Sequence, residues 1–328
     1  MTPRLLYSTL RTFTIPFCCI CLFSPIAKAS SSARHDLFPP TLERTSPSTL
    51  ASIQEETIPF TQDRDGHILF KAMINGVEGN FMFDTGAGIN VITKRFFDKL
   101  RHLTAEDGIY TGFRATGDRQ DVKLYHAQEL TIGKNHFTAG PLTYVDLDWG
   151  STDGIISLKN FEKDMIITID YAAKTLTFSP EGRFSALKKE ATAVFPIQLE
   201  DLRGMELNIF CRVRVNNKLT LQFCMDSGAG TGLLRINQLF LQDLHIDTTD
   251  TAHVRKITHE SEFQKGYRNT IFITNIDHLA IDEAQAIDEV NPRAQFVEGL
   301  IYDGIMAPDW LGKRITISIP DKEILVQR

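Results

Sequence analysis

Phe83-Asp84-Thr85-Gly86-Ala87-Gly88 and Met225-Asp226-Ser227-Gly228-Ala229-Gly230 are two copies of one loop, each following an apolar run that reads as a β-strand. Two such turns in one chain imply a site built from two carboxylates, Asp84 and Asp226. The chemistry that needs this arrangement is hydrolysis by a water held between paired carboxyls, one ionised as general base and one protonated as general acid. Two like charges about 3 Å apart at an effective dielectric near 20 would repel by about 5 kcal/mol, so the pair keeps one shared proton over a broad pH range. Gly86 and Gly228 allow the tight turn and bring N–H groups toward the carboxyls. Thr85 and Ser227 offer hydroxyls able to hydrogen-bond across an interface between the two halves.

The repeat extends outward from both loops. Asp153-Gly154-Ile155-Ile156-Ser157-Leu158 follows the first aspartate by 153 − 84 = 69 residues, and Asp303-Gly304-Ile305-Met306-Ala307-Pro308 follows the second by 303 − 226 = 77. Each half then closes on a matching apolar segment, Ile166-Ile167-Thr168-Ile169-Asp170 and Ile315-Thr316-Ile317-Ser318-Ile319. Upstream, Ile74-Asn75-Gly76 and Val215-Asn216-Asn217 read as hairpin turns, preceded by alternating strands over His67 to Met73 and Met205 to Val213. Short helices are expected at Thr93 to Leu103 and Asn237 to Leu244, at matching positions after the two loops.

These motifs resemble the pepsin and retropepsin superfamily of aspartic proteases, in which each lobe contributes one Asp-[Thr/Ser]-Gly loop. The resemblance implies an all-β fold: two retropepsin/pepsin-like β-barrel lobes in one chain, with short helices and an active-site cleft between them. It implies Asp84 and Asp226 as catalytic residues, supported by Thr85, Gly86, Ser227 and Gly228, acting on a polypeptide in extended conformation with no cofactor and no metal. It also implies a flap, a hairpin that closes over substrate, here Tyr110 to Leu124 with its tip near Ala115-Thr116-Gly117-Asp118. Thr116 and Gly117 are thus the candidate substrate-binding residues of the flap, and Tyr110 or Tyr125 a candidate donor toward the site. The matching region of the second half, Val254 to Tyr267, is highly polar and reads either as a second hairpin or as a solvated loop.

Departures from the family pattern bear on activity. Ser157 and Ala307 stand where the family carries a glycine beneath each catalytic loop, and Ala87 and Ala229 stand where pepsins place a hydroxyl. The lost donor is expected to raise the pKa values of the pair and to move the pH optimum from strongly acidic to mildly acidic or near neutral. The function expected is an exported aspartic endopeptidase. The alternative is a catalytically weak or inactive member that binds peptides or a protein through the same cleft.

Length and composition fit two lobes. The 328 residues are 42% hydrophobic and carry a net charge of −6, with no basic stripe suited to nucleic acid, no zinc-type Cys/His spacing and no phosphate-binding glycine loop. Residues 1–29 read as a signal peptide: Arg4 and Arg11, an apolar stretch from Phe13 to Ile26, and Ala27-Lys28-Ala29 as cleavage site. Its removal takes away three cations and no acid, giving −6 − 3 = −9. The destination is then the periplasm or the exterior, with no membrane span after cleavage. Residues 30–56, rich in Ser, Thr and Pro, read as a flexible linker or a propeptide. The lobes are expected at 57–185 and 190–328, with Ser179 to Ala191 as connector. Both aspartates lie on one chain, so a monomer suffices. Cys211 and Cys224 flank the Asn216-Asn217 turn, either as a disulfide or as two buried thiols, depending on strand register.

Overall fold

The computed structural model describes residues 54–161 and 165–328. The expected signal peptide and all but the last three residues of the expected linker lie outside the described residues. Those last three are seated on the first lobe: Asn135 bonds both backbone groups of Gln54, at 3.1 and 2.8 Å, and Glu56 opens the strand Glu56–Pro59.

Each lobe is one strongly bent sheet of ten strands. In the first, the hairpin Ile68–Ile74 and Val77–Asp84 delivers Asp84 at the end of its second strand. The turn at Asn75 and Gly76 has positive φ at both residues, which suits Asn-Gly and joins the strands with the right twist. The Asn75 side chain also accepts from the backbone N–H groups of Gln128 and Glu129. The second lobe repeats the device: Glu206–Val215 and Leu219–Met225 turn at Asn216 and Asn217, both at positive φ, and Asn216 accepts from Asp277 and His278.

Beneath each aspartate runs the strand that the repeat identified. Gly154–Ser157 lies parallel to Val77–Asp84, with Ser157 beside Asp84, and antiparallel to Asn90–Thr93. Gly304–Met306 lies parallel to Leu219–Met225 and antiparallel to Leu234–Asn237. The chain therefore leaves each aspartate, loops, and returns on the far side of a strand that fixes both ends of the loop. The short helices are shorter than expected, a single turn at Lys94–Phe97 and a 3-10 turn at Gln238–Phe240. Each is capped by its own polar side chain, Thr93 or Asn237.

A third sheet joins the lobes. Its order is Glu56–Pro59, Thr175–Pro180, Met165–Asp170, Arg314–Ser318, Glu323–Gln327 and Ala193–Pro196. Thr168 pairs with Thr316 at its centre, their hydroxyls 2.8 Å apart. The sequence boundary between 57–185 and 190–328 thus runs through one continuous sheet, half of it drawn from each side. The expected connector is helical: Phe184–Glu190 covers the outer face of this sheet, packing Phe184 on Ile166 and Leu325.

The core is continuous across the lobes and rich in aromatic edges. Phe161 meets Phe83, Phe137 and Phe178 with ring centroids 6.4, 5.1 and 5.1 Å away, tying the strand that carries Asp84 to the joining sheet. Cys211 and Cys224 are both buried and are not joined in a disulfide. The pairing of Phe210 with Cys224 and of Cys211 with Phe223 offsets the thiols by one residue, so they face opposite sides of the sheet. Phe161→Ala is expected to cost about 3–5 kcal/mol, measured by urea unfolding, because it removes a buried ring that contacts three others.

Candidate active site

The two loops meet at the centre of the molecule. Thr85 N donates to Ser227 Oγ at 3.0 Å and Ser227 N donates to Thr85 Oγ1 at 3.0 Å. Each hydroxyl then donates onward across the boundary, Thr85 to the Met225 carbonyl at 2.7 Å and Ser227 to the Phe83 carbonyl at 2.8 Å. Both residues are buried, so these four bonds form a closed, almost twofold-symmetric clasp in which every donor and acceptor is used.

Asp84 and Asp226 sit inside the clasp and are fully buried. A Cβ on Gly228 would lie 2.2 Å from Asp84 Oδ2, and one on Gly86 would lie 2.5 Å from Asp226 Cγ. Each glycine is therefore required by the carboxyl of the opposite lobe, a closer constraint than the turn geometry by itself. Gly86 N donates to Asp84 Oδ1 at 2.8 Å. The pKa of Asp84 is raised well above its ordinary value, first by burial and next by the charge of Asp226, while the N–H groups of Gly86 and Ala87 pull weakly the other way. Burial is thus the largest cause of the rise.

Ser157 does not strain the loop above it. Its hydroxyl donates to the Ala87 carbonyl at 2.5 Å and accepts from Lys159 N at 3.1 Å, while its own N–H donates to Asn90 Oδ1 at 3.0 Å. The side chain that replaces a glycine here ties the Asp84 loop to the strand beneath. Ala307 in the second lobe is buried, and its N–H donates to the Leu233 carbonyl at 3.0 Å.

The first-lobe flap is the hairpin Tyr110–Phe113 and Arg119–Val122. The second-lobe region is a hairpin as well, Arg255–Glu260 with Arg268–Asn275, and the two interlock. The Thr116 carbonyl accepts from Tyr267 Oη at 2.9 Å and from Asn269 Nδ2 at 3.0 Å, and Ile301 N donates to the Ala115 carbonyl at 3.0 Å. Asp118, fully buried, accepts from Thr116 Oγ1 at 2.8 Å and Ser261 Oγ at 2.6 Å. Gly117, at φ +89°, presses so closely that a Cβ would lie 2.6 Å from the Gly299 carbonyl oxygen. Thr116 and Gly117 are thus engaged with the opposite hairpin, and the aspartates lie beneath a closed roof.

Sequence reading missed the receiving side of this latch. Ser261, Tyr267 and Asn269 fall in or beside a stretch whose polarity reads as solvated; Ser261 and Asn269 are buried only because another hairpin lies on them. Tyr110 donates to Glu206 Oε1 at 2.6 Å rather than toward the aspartates, and Tyr125 packs on Phe97 and Tyr144 away from the site. Among the described residues one group has ligand atoms within 4.8 Å of one another, Asp63, Asp65 and His67. Its geometry is that of a turn: Asp63 accepts from the N–H groups of Asp65 and His67 and pairs with His67 Nδ1 at 2.8 Å.

Two bent β lobes, each lending one Asp loop to a shared buried centre, define the architecture of an aspartic protease. Residues 70–167 match the family model described as aspartyl protease, and the second lobe repeats the matched loop and its supporting strand. The match lies within the first lobe and spans less than a third of the chain. A retropepsin-like aspartic protease from Rickettsia conorii is 23% identical, over 38% of this chain and 91% of its own, with a TM-score of 0.29. Basic 7S globulin from soybean is 10% identical, over 83% of this chain and 94% of its own, with a TM-score of 0.45. No curated protein matches the chain.

The raised pKa of Asp84 carries a sign for stability. Between the unfolded value near 3.8 and the higher folded value, the folded state holds a proton that the unfolded chain has released, so stability falls as pH rises through that window. Asp84→Asn is neutral throughout and escapes this loss. The variant is expected to show a Tm advantage over wild type that is small at about pH 4 and widens toward pH 7. A gap that stays constant with pH would contradict it.

Proposed function

We propose that the chain is an exported aspartic endopeptidase in which Asp84 and Asp226 activate one water for attack on a peptide carbonyl. The observation that carries this reading is the burial of each carboxyl against the loop of the other, so close that neither Gly86 nor Gly228 could carry a side chain. One carboxylate takes a proton from the water as it attacks, and the other gives its proton to the carbonyl oxygen. Collapse of the tetrahedral intermediate then delivers a proton to the departing amine. The clasp through Thr85 and Ser227 holds the carboxyls rigidly, which is what general acid–base work at fixed distance requires.

Substrate enters as an extended strand, with backbone hydrogen bonding to the hairpins over the cleft. The interlocked tips at Thr116 and Gly117 must part for entry and close again to exclude water. Basic residues, an apolar stretch and Ala27-Lys28-Ala29 in the first 29 residues support export to the periplasm or beyond, and the chain supplies both aspartates without a second copy.

Asp84→Asn and Asp226→Asn are each expected to lower kcat/KM on a diverse peptide library by about 10³-fold or more, the scale of losing a general acid or base, with the circular dichroism unchanged. Robust hydrolysis by either variant would overturn the mechanism. Burial of the pair also sets the pH window: with one proton retained well above the ordinary carboxyl range, the profile of kcat/KM is expected to peak between mildly acidic and near-neutral pH. A peak below about pH 3.5 would overturn that assignment. The complete burial of the aspartates under a bolted roof favours a second reading, a peptide-binding member without turnover; folded wild-type protein that binds peptides and cleaves none would establish it.

A further inference from the structure

The wall of the cleft beside the Asp84 loop holds a buried carboxyl that the hydrolytic chemistry does not use. Glu206, the first residue of the strand Glu206–Val215, is fully buried. Its Oε1 accepts the Tyr110 hydroxyl at 2.6 Å, a bond from the base of the first-lobe flap across the lobe boundary. Its Cβ, Cγ and Cδ lie only 3.1 Å from where a Cβ on Gly88 would be, four residues after Asp84. The carboxyl is therefore wedged between the catalytic loop below and the flap above. Its Oε2 has no hydrogen-bond partner, which for a buried oxygen costs about 1–3 kcal/mol until a donor is supplied.

A groove of about 270 Å³ opens beside this pair, lined by Glu106, Asp107, Ile109, Tyr110, Arg203 and Met205 among others. Ile109 is 68% exposed and Met205 half-buried, giving the groove an apolar wall. Arg203, the only cation among the lining residues, lies over the Tyr110 ring at 5.1 Å. Glu106 pairs with His126 at 2.5 Å, and Asp107 is exposed. An apolar wall that ends in carboxyl groups fits a long aliphatic stem carrying a cation.

We propose that Glu206 and the groove beside it form a subsite for a lysine or arginine side chain of a polypeptide bound in the cleft. The inference rests on that cleft being the polypeptide site. The groove is lined by Tyr110 of the flap strand and by Met205, the residue before Glu206, so an extended chain lying along it passes beside Glu206 with every second side chain facing one wall. A cation arriving there supplies the donor that Oε2 lacks.

The subsite has a pH signature. The titratable or charged groups facing Glu206 are Tyr110 on the flap, Glu200 on the neighbouring strand and Arg203 in the turn between; Ala87 and Gly88 carry none. Burial raises the carboxyl to about 7, with Tyr110 pulling it down, Glu200 pushing it up and Arg203 pulling it down. Glu206 is then mostly protonated below that pH, and its attraction for a cation grows as the pH rises through it.

The test scans a single lysine, or its uncharged isostere norleucine, through each position of a short peptide. Binding to the full chain carrying Asp226→Asn is read by fluorescence anisotropy from about pH 5 to pH 8, and cleavage by the wild type is measured in parallel. Because the ratio of lysine to norleucine is taken at each pH, titration of the aspartate pair cancels. One position is expected to favour lysine about tenfold at pH 8, the scale of one charge-assisted hydrogen bond, shrinking to about twofold at pH 5. Glu206→Gln is expected to flatten the ratio to near one at every pH.

A lysine preference below twofold at every position, or one that Glu206→Gln leaves intact, would overturn the subsite. So would a preference without pH dependence in the wild-type cleft, a result that needs no Glu206 variant to fold. Preference in binding without cleavage retains the subsite and removes the protease reading; cleavage without preference does the reverse; neither binding nor cleavage removes both.

Discussion

The exchange of hydrogen bonds between Thr85 and Ser227 is the constraint on which the rest of the site depends. Each residue gives its N–H to the other's hydroxyl and its hydroxyl to a carbonyl of the other lobe. Losing one hydroxyl strands at least one buried donor or acceptor, at about 1–3 kcal/mol each. That asymmetry makes the clasp either complete or badly broken, so it fixes the distance between the lobes. Only at that distance do Asp84 and Asp226 face one another with a glycine of the opposite loop against each.

The joining sheet performs the same task from the other side of the molecule. Thr168 and Thr316 meet at its centre as Thr85 and Ser227 meet at the centre of the cleft, and both pairs lie close to one approximate twofold axis. Two separated points of attachment resist both translation and hinge motion of one lobe against the other. The roof is held differently, by hydrogen bonds to carbonyls at its tips and by the small apolar cluster around Ala115, apart from the main core. The architecture therefore separates a floor that carries the carboxyls from a cover built of two interlocked hairpins.

Burial links floor and roof. Beneath the hairpins the aspartates are fully buried, and this burial, more than the charge of Asp226, raises the Asp84 pKa. The same closure leaves Glu206 dry at the edge of the cleft with one oxygen unmatched. Where substitutions depart from the family pattern the structure absorbs them locally. The Ser157 hydroxyl finds a carbonyl in the Asp84 loop, so the added atoms contribute a bond where a glycine would contribute none.

The sequence by itself determined the two aspartate loops, the strands beneath them, the Asn turns and the twofold plan, because each is a local pattern written twice: period-two apolar strands, Asn and Gly at positive φ, and polar caps before short helical turns. It also located the hairpin that ends near Thr116-Gly117. Only the tertiary structure decided that the hairpins interlock, that Ser261 and Asn269 are buried, that Tyr110 reaches Glu206, and that the segment after Pro180 forms a helix on the joining sheet. None of these has a local signature. A polar residue at a strand end reads as solvated unless one knows what lies over it, and Glu206 lies 96 residues from the tyrosine that covers it. The offset of Cys211 and Cys224 was likewise open until pairing fixed the register, since a shift of one residue exchanges the faces of a strand.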